Sequence, residues 1–263
     1  RKRLMNFNLN GKRALLCGST DGIGKATAIL MASLGAEIIL LARNQEKLKN
    51  TLNNLSNKNG QIHSMICADF NNPEKLNEIV NNELNKPVNI LLNNSGGPHG
   101  GPLVDSSIDE FRDGFERLLI CNQIMVKSVI EGMKKIGNGR IINIISISVN
   151  NVIPGLGVSN TIRGAVAQWA KTLALEIGKY GITVNNVLPG YTNTSRLQEL
   201  ANAKSETSGT SVDEIRATWA NSSASKRIGE PEEIANAVAF LASEAASFIN
   251  GIDLTVDGGR SGA

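Results

Sequence analysis

The chain has 263 residues, of which 41% are hydrophobic, and its 27 basic and 24 acidic residues leave a net charge of only +3. A chain of this length and apolar content can bury one large core, and no change in composition marks a linker, so we expect a single domain over residues 1–263. The mixed charges argue against a nucleic-acid-binding protein. The basic triplet Arg1-Lys2-Arg3 is interpreted as a solvated terminus.

The cysteines and histidines are too few and too scattered to build a metal site or a disulfide framework. Cys17, Cys67 and Cys121 lie in apolar contexts, which predicts reduced thiols in a cytoplasmic protein. With His63 and His99 as the only histidines, no metal is expected. The apolar runs are shorter than a membrane span and the N-terminal segment lacks a signal-peptide core, so no membrane association is expected.

Seven apolar runs of strand length alternate with segments of helical periodicity. Runs that read as continuous Ile, Val and Leu are typical of strands buried on both faces, so the pattern predicts an α/β fold with a doubly wound parallel sheet. The predicted strands are Ala14–Cys17, Ile38–Ala42, Ile62–Cys67, Val88–Leu92, Ile141–Ile145, Ile182–Leu188 and Ile252–Val256. Helices are predicted up to Leu34 and over Glu46–Leu55, Glu74–Leu84, Phe111–Met133, Thr161–Gly178 and Glu232–Ala242.

The first predicted strand leads into a glycine-rich turn at the start of a helix. Its glycines, Gly18, Gly22 and Gly24, have the spacing G-x-x-x-G-x-G. The first turn of a helix has unpaired N–H groups and a positive dipole end, and glycines let a phosphate approach them closely. The stretch Arg13–Arg43 is therefore predicted to hold a nucleotide.

Arg43 follows the second strand, where NAD-specific proteins carry an acidic residue that binds the ribose 2′-hydroxyl. A guanidinium there can bind a 2′-phosphate bidentately, so NADP(H) is favoured over NAD(H). Two alternatives stay open: Arg43 could be an ordinary exposed loop residue, and Asp21 in the glycine turn opposes an extra phosphate.

Polar and glycine residues also follow the next two strands. Asp69 could accept a hydrogen bond from an adenine amine or simply cap the strand end. The fourth strand ends in Asn93-Asn94-Ser95-Gly96-Gly97, where the glycines indicate backbone lying close to another group. Asn93 is expected to pair with main-chain groups of neighbouring strands.

With these motifs in view, the chain resembles the short-chain dehydrogenase/reductase family along almost its whole length, and within it the 3-oxoacyl-[acyl-carrier-protein] reductase type. The matching motifs are Gly18-xxx-Gly22-Ile23-Gly24, Asp69, Asn93-Asn94-Ser95-Gly96, Ser146, Pro189-Gly190 with Thr194, Arg227-x-Gly229-x-Pro231-Glu232 and Val256-Asp257-Gly258-Gly259. The resemblance implies a seven-stranded Rossmann-like sheet with helices on both faces, a homotetramer or homodimer, and a substrate lid at about residues 194–227.

The resemblance also implies a nicotinamide cofactor and a small-molecule carbonyl or secondary alcohol as substrate. The residues that it assigns to the cofactor are Gly18, Ser19, Asp21, Gly22, Ile23, Gly24, Arg43, Asp69, Asn94, Gly96, Arg163, Pro189, Gly190 and Thr194.

The catalytic set that the resemblance implies consists of Asn, Ser, Tyr and Lys, and the chain departs from it. Asn122 and Ser146 match, but Ser159 stands where the tyrosine is expected and Arg163 where the lysine is expected. A phenol of pKa ~10 can be tuned toward neutrality, whereas an aliphatic hydroxyl cannot. The serine is also about 4 Å shorter, more than one hydrogen bond of about 3 Å. Arg163 can hold ribose hydroxyls, but it is a poor proton relay.

Three hypotheses follow for the proton donor. Ser146 and Arg163 could stabilise an oxyanion while water supplies the proton. His99 or Tyr191 could reach the substrate from another side. Catalysis could also be lost, leaving a nucleotide-binding sensor or scaffold. We expect an NADP(H)-dependent oxidoreductase with an altered proton donor, and the silent nucleotide-binding protein is the alternative.

Overall fold

Seven parallel strands form one sheet with helices on both faces, in a computed structural model that describes residues 6–262. The spatial order of the strands is β3-β2-β1-β4-β5-β6-β7. They are β1 (Arg13–Cys17), β2 (Glu37–Ala42), β3 (Ser64–Cys67), β4 (Ile90–Asn93), β5 (Gly139–Ile144), β6 (Ile182–Pro189) and β7 (Asp253–Val256). The predicted doubly wound fold is confirmed. The basic triplet at residues 1–3 lies outside the described residues.

The helices connect successive strands and cover the sheet. They are α1 (Gly22–Ser33), α2 (Gln45–Asn53), α3 (Pro73–Glu83), α4 (Ile108–Phe115), α5 (Cys121–Ile136), α6 (Gly157–Ile177), α7 (Ser195–Ser208), α8 (Val212–Asn221) and α9 (Pro231–Ala242). Helices α7 and α8 occupy the segment predicted as a lid. The strand order reverses between β1 and β4, which is where ligands of such sheets bind.

The core has two layers because side chains of a strand alternate between the faces of the sheet. In β1, Leu15 and Cys17 belong to the layer that contains residues of α3, α5 and α6, whereas Ala14 and Leu16 belong to the layer that contains residues of α1 and α9. All four side chains are fully buried. The continuous apolar run of the sequence therefore reflects burial on both faces.

The start of β3 differs from the prediction, and the helix expected over residues 111–133 contains a π-helical turn that was not predicted. Ile62 is 77% exposed and lies before β3, which begins at Ser64. The Nδ1 atom of His63 accepts the N–H of Ile38, so a side chain takes the place of a strand-to-strand bond there. The helix predicted over residues 111–133 is present within one continuous helical run from Ile108 to Ile136, in which a π-helical turn over Glu116–Ile120 joins α4 to α5.

A row of carboxamides crosses four strands inside the sheet. Asn93 donates to Asn143 (2.9 Å), Asn143 donates to Asn186 (2.9 Å), and Asn186 donates to the carboxylate of Asp253 (2.8 Å). These residues are direct partners in the register of β4, β5, β6 and β7. The expectation that Asn93 pairs with main-chain groups is therefore corrected: its partner is the side chain that the register places opposite it.

No helix within residues 6–262 is both long enough and apolar enough to cross a membrane.

The start of α9 is fixed by a bidentate ion pair that supplies a test of stability. Both oxygens of Glu233 accept from Arg227 at 2.6 Å, and one also accepts the N–H of Glu230. The hydrogen bonds from Arg227, followed by that from Glu230, lower the pKa of Glu233 from 4.5 to about 2. The stabilisation is therefore present above pH 4.5 and is lost as the pH falls through about 2.

We expect Glu233→Gln to lower the free energy of unfolding modestly at neutral pH, because the pair is exposed. The difference in unfolding free energy between the variant and the wild type should shrink as the pH is lowered from 4.5 toward 2. Urea unfolding across this range measures it. Glu232→Gln, which removes a charge from the same helical turn without breaking the pair, is the control. A difference that is independent of pH would contradict the assignment.

Candidate functional site

A cleft of about 340 Å³ opens at the carboxyl ends of the strands, where the topology predicts a ligand. Ten of the residues predicted to bind the cofactor line it: Gly18, Asp21, Gly22, Ile23, Asn94, Gly96, Arg163, Pro189, Gly190 and Thr194. Ser146 and Ser159 line the same cleft. The structure thus brings the nucleotide motifs and most of the catalytic candidates into one space.

The glycine turn after β1 is closed so tightly that side chains are excluded. Gly18 and Gly22 have positive φ angles of 59° and 47°. A Cβ at Gly24 would stand 2.1 Å from the carbonyl oxygen of Gly18, and one at Gly18 would stand 2.6 Å from that of Asn94. The amide of Asn94 in turn donates to the carbonyl of Gly18 at 3.3 Å. These contacts hold the turn against the end of β4.

Gly96 serves a different purpose. It is exposed, and no atom of residues 6–262 lies within 4 Å of the position that a Cβ would take, so the glycine is not needed for packing within this part of the chain. Its bare backbone instead leaves room in the cleft. An open glycine backbone beside the start of α1 fits the phosphates and flat rings of a nicotinamide nucleotide.

Four predicted cofactor residues do not line the cleft. Ser19 is fully buried, with its hydroxyl donating to the carbonyl of Leu41 at 3.4 Å, and Gly24 is buried beneath the turn. Asp69 accepts the N–H of Asn71 at 2.9 Å, which is the strand-end cap weighed as an alternative. Arg43 is exposed just beyond β2. Their roles toward a nucleotide stay predictions.

Asp21 ties the glycine turn to the lid segment. One of its oxygens accepts the N–H of Gly22 at 2.8 Å and so caps α1, while the other accepts the hydroxyl of Ser195. Because Ser195 is the first residue of α7, this contact joins the two walls of the cleft.

Helix α6 presents Ser159 and Arg163 to the cleft from the same face, one turn apart. The Nε of Arg163 donates to the hydroxyl oxygen of Ser159 at 3.2 Å, and its Nη1 donates to the carbonyl of Ile145 at 2.6 Å. Its Nη2 lies 3.1 Å from where a Cβ of residue 97 would stand, so Gly97 leaves space for the guanidinium. Burial, and to a lesser extent the charge of Arg196, lowers the pKa of Arg163 to about 10. The side chain therefore keeps its positive charge at neutral pH.

The hydroxyl oxygen of Ser146 is held in place at the end of β5. It accepts the N–H of Ser148 at 3.1 Å and so caps a short 3-10 turn. An oxygen that accepts from the backbone leaves its own proton free for a group in the cleft.

Asn122 does not line the main cleft. It is buried and borders a separate space of about 10 Å³, which is also lined by Asn93, Ser95 and Arg163. Such a space is about the size of one water molecule. Arg163 lines both spaces, as do Ser95, Ile144 and Ile145.

Of the two other proton-donor candidates, only Tyr191 lines the cleft. Its hydroxyl accepts from Arg260 at 3.2 Å, and its ring stacks on Trp219 with the centroids 4.8 Å apart. His99 is exposed and does not line the cleft.

Two cationic residues of the cleft were not predicted from the sequence. Arg196 donates to the carbonyl of Pro98 at 2.7 Å, and Arg260 lies 4.0 Å from the ring centre of Tyr191. Both follow strand ends, β6 and β7 respectively, so attention to basic residues after every strand would have found them. Within residues 6–262 no group of three or more Cys, His, Asp or Glu side chains is arranged to hold a metal ion.

Comparisons with known proteins agree with this architecture. Residues 18–261 match the family described as Enoyl-(Acyl carrier protein) reductase. The chain is 33% identical to the 3-oxoacyl-[acyl-carrier-protein] reductase of Vibrio cholerae over 255 residues, 96% of this chain and 98% of that protein. It is 30% identical to the 7alpha-hydroxysteroid dehydrogenase of Escherichia coli K12 over 257 residues, 97% and 96% of the two chains.

A solved structure is also similar. L-sorbose reductase from Gluconobacter frateurii, complexed with NADPH and L-sorbose, superposes with a TM-score of 0.91 at 29% identity and covers 98% of this chain and 100% of that one.

Two glycine substitutions separate packing from ligand binding. Gly24→Ala should destabilise the fold by about 1–3 kcal/mol, because the new methyl group meets backbone. Gly96→Ala should leave the unfolding free energy close to that of the wild type but raise the NADPH dissociation constant about tenfold or more, because the methyl group protrudes into the cleft. Urea unfolding and fluorescence titration with NADPH measure both effects. Unchanged NADPH binding in Gly96→Ala would show that the nucleotide does not pass this backbone.

Proposed function

Because the chain belongs to the short-chain dehydrogenase/reductase family of NAD(P)-dependent oxidoreductases, we propose that it interconverts a carbonyl and a secondary alcohol with NADP(H) and without the family's tyrosine as proton donor. The observation that carries the proposal is that Ser146, Ser159 and Arg163 line the same cleft as the glycine turn and Thr194. Ser159 and Arg163 take the places of the tyrosine and lysine in the family pattern.

The side chains of the cleft can hold a carbonyl oxygen and stabilise the charge that develops on it. The bound nucleotide supplies or accepts the hydride. Ser146 and Ser159 each accept a hydrogen bond from the protein, at 3.1 and 3.2 Å, so each can donate its own proton to the substrate oxygen. The guanidinium of Arg163 adds a fixed positive charge, which counts for more in a partly desolvated site than in water.

The proton for the reduced oxygen comes from water in this scheme. A serine hydroxyl is too weak an acid to give up its proton, and Arg163 stays protonated at neutral pH. The two hydroxyls and the guanidinium therefore stabilise the alkoxide until a water molecule protonates it, and the hydroxide formed is neutralised by the buffer. Positioned acid–base groups typically accelerate a reaction by about 10²–10⁴-fold. We therefore expect turnover to be slower, by about that factor, than in a family member that has the tyrosine.

The silent nucleotide-binding protein is the second candidate. The observation in its favour is that Ser159 is only 7% exposed and engaged with Arg163, so it extends little into the cleft. In this case NADPH binds but no carbonyl compound oxidises it.

Restoring the family's side chains distinguishes the two candidates. We expect Ser159→Tyr with Arg163→Lys to raise kcat by about 10²-fold or more on a panel of ketones and 3-oxoesters, since a tunable phenol then supplies the proton. Single-turnover oxidation of NADPH measures the rate, and titration with NADPH confirms that the cofactor is bound. Slow ketone-dependent oxidation by the wild type supports the oxidoreductase. Tight NADPH binding without oxidation in the wild type would leave only the silent protein.

The preference for NADP(H) rests on Arg43. It is exposed at the carboxyl end of β2, where no carboxylate of the sequence stands to bind the ribose 2′-hydroxyl. The similar L-sorbose reductase is complexed with NADPH, which supports the same choice here.

We expect Arg43→Ala to raise the dissociation constant of NADPH by about 10- to 100-fold, the range for a lost charge-assisted hydrogen bond. The dissociation constant of NADH should change little, because NADH lacks the 2′-phosphate. Titrations with both nucleotides measure the difference, and Arg112→Ala, which removes an exposed arginine of α4, is the control. Equal weakening of NADPH and NADH would contradict the assignment.

A further inference from the structure

We propose that the substrate carries a carboxylate and that Arg260 binds it at the outer end of the cleft. The inference rests on the proposed carbonyl–alcohol interconversion and adds the chemical class of its substrate.

The charge of the cleft is the first observation. Its ionisable lining residues are Asp21, Arg163, Arg196, Arg260 and the phenol Tyr191. The carboxylate of Asp21 is already engaged with Ser195 and with the backbone of Gly22. The cleft therefore carries an excess of positive charge that an anionic ligand would neutralise.

The arginines of the cleft differ in their surroundings. Arg163 is bound to Ser159 and Ile145 among the catalytic candidates. Arg196 is bound to the carbonyl of Pro98, beside the glycine-rich loop that follows β4, and lies 3.5 Å from Glu199. Both therefore belong to the part of the cleft formed by the reacting groups and the glycine motifs.

Arg260 has different surroundings from Arg163 and Arg196. It borders the main cleft and also a second cavity of about 250 Å³. The two spaces share Ile147 and Ile153, so they adjoin. A substrate whose carbonyl lies near Ser146 can therefore extend past these apolar side chains and place its far end at Arg260.

Among the described residues 6–262, the guanidinium of Arg260 is held in position without a carboxylate partner. Its Nη2 donates to the hydroxyl of Tyr191 at 3.2 Å, and its central carbon lies over the ring, 4.0 Å from the ring centre. Tyr191 is itself fixed by its stacking on Trp219. Within residues 6–262, no carboxylate oxygen is found within 4.0 Å of the guanidinium nitrogens of Arg260.

The turn that carries Arg260 is also fixed. The carboxylate of Asp257 accepts the N–H of Gly259 at 2.9 Å and both the N–H and the hydroxyl of Ser261, at 2.7 and 2.6 Å. This carboxylate is therefore used to hold the backbone on both sides of Arg260. The result is a pre-positioned guanidinium with an apolar approach, which suits the planar, bidentate geometry of a carboxylate.

The test compares ketones that differ only in charge. Initial rates and dissociation constants are measured for 4-oxopentanoate, 5-oxohexanoate and 6-oxoheptanoate against their methyl esters, with the wild type, Arg260→Gln and the surface control Arg112→Gln. We expect at least one acid to be preferred over its ester in kcat/KM. In Arg260→Gln, kcat/KM for that acid should fall by about 10- to 100-fold while the ester changes less than about threefold. The dissociation constant of NADPH should stay unchanged.

Binding measurements separate a failure of this inference from a failure of the proposed reaction. If no ketone oxidises NADPH, the proposed reaction fails, and the inference is then judged by calorimetric titration of the three acids and esters into the NADPH complex. Binding of an acid, but not its ester, that is lost in Arg260→Gln still supports it. Equal kcat/KM or equal affinity for the acids and their esters would overturn it. An equal decrease for acids and esters in Arg260→Gln would overturn it as well. A preference for dihydroxyacetone phosphate over all three acids would also overturn the assignment to a carboxylate.

Discussion

The hydrogen bond from Arg163 to the carbonyl of Ile145, at 2.6 Å, determines how helix α6 meets the end of strand β5. A guanidinium taken partly out of water must find acceptors, and here the carbonyls at the strand end provide them. Because Ser159 stands one turn earlier on α6, its hydroxyl accepts from the same guanidinium at the wall of the cleft. Gly97 completes the arrangement, since a Cβ there would stand only 3.1 Å from the Nη2 of Arg163 and crowd it. Arg163, and through it Ser159, is thus positioned by backbone carbonyls rather than by an acidic side chain.

Much of the fold could be predicted because its signals are local. Continuous apolar runs indicate strands buried on both faces, and the glycine spacing after β1 marks the turn before α1. The boundaries that were wrong depend on distant contacts. Ile62 looks like part of β3, but the strand begins later because His63 bonds to β2. The periodicity over residues 111–133 does not reveal the π-helical turn before Asn122, since one such turn inside an α-helix shifts the apolar pattern only slightly.

The candidate site likewise contains residues whose positions could be predicted from the sequence and residues whose positions could not. Ser146, Ser159 and Thr194 could be placed together because the carboxyl ends of parallel strands share one edge of the sheet. The positions of Arg196 and Arg260 could not be predicted, since they depend on how α7 and the turn after β7 fold back over that edge. The separation of Asn122 from the main cleft likewise depends on packing around Arg163. Asp69 stands where the sequence predicts a contact with the cofactor, and in the structure its carboxylate caps its own turn.

The hydrogen bonds in the row of carboxamides inside the sheet all point the same way, because each asparagine donates toward β7. A carboxylate can only accept hydrogen bonds, so Asp253 requires Asn186 to turn its NH₂ group toward β7. The oxygen of Asn186 then faces Asn143, and each amide orients the next in turn. At the end of the row, the oxygen of Asn93 is left without a partner in the described part of the chain, and Asn93 borders the water-sized space beside Arg163. One charge at the edge strand therefore decides, about 14 Å away across three strand spacings, that Asn93 offers an acceptor rather than a donor to the space that Arg163 also lines.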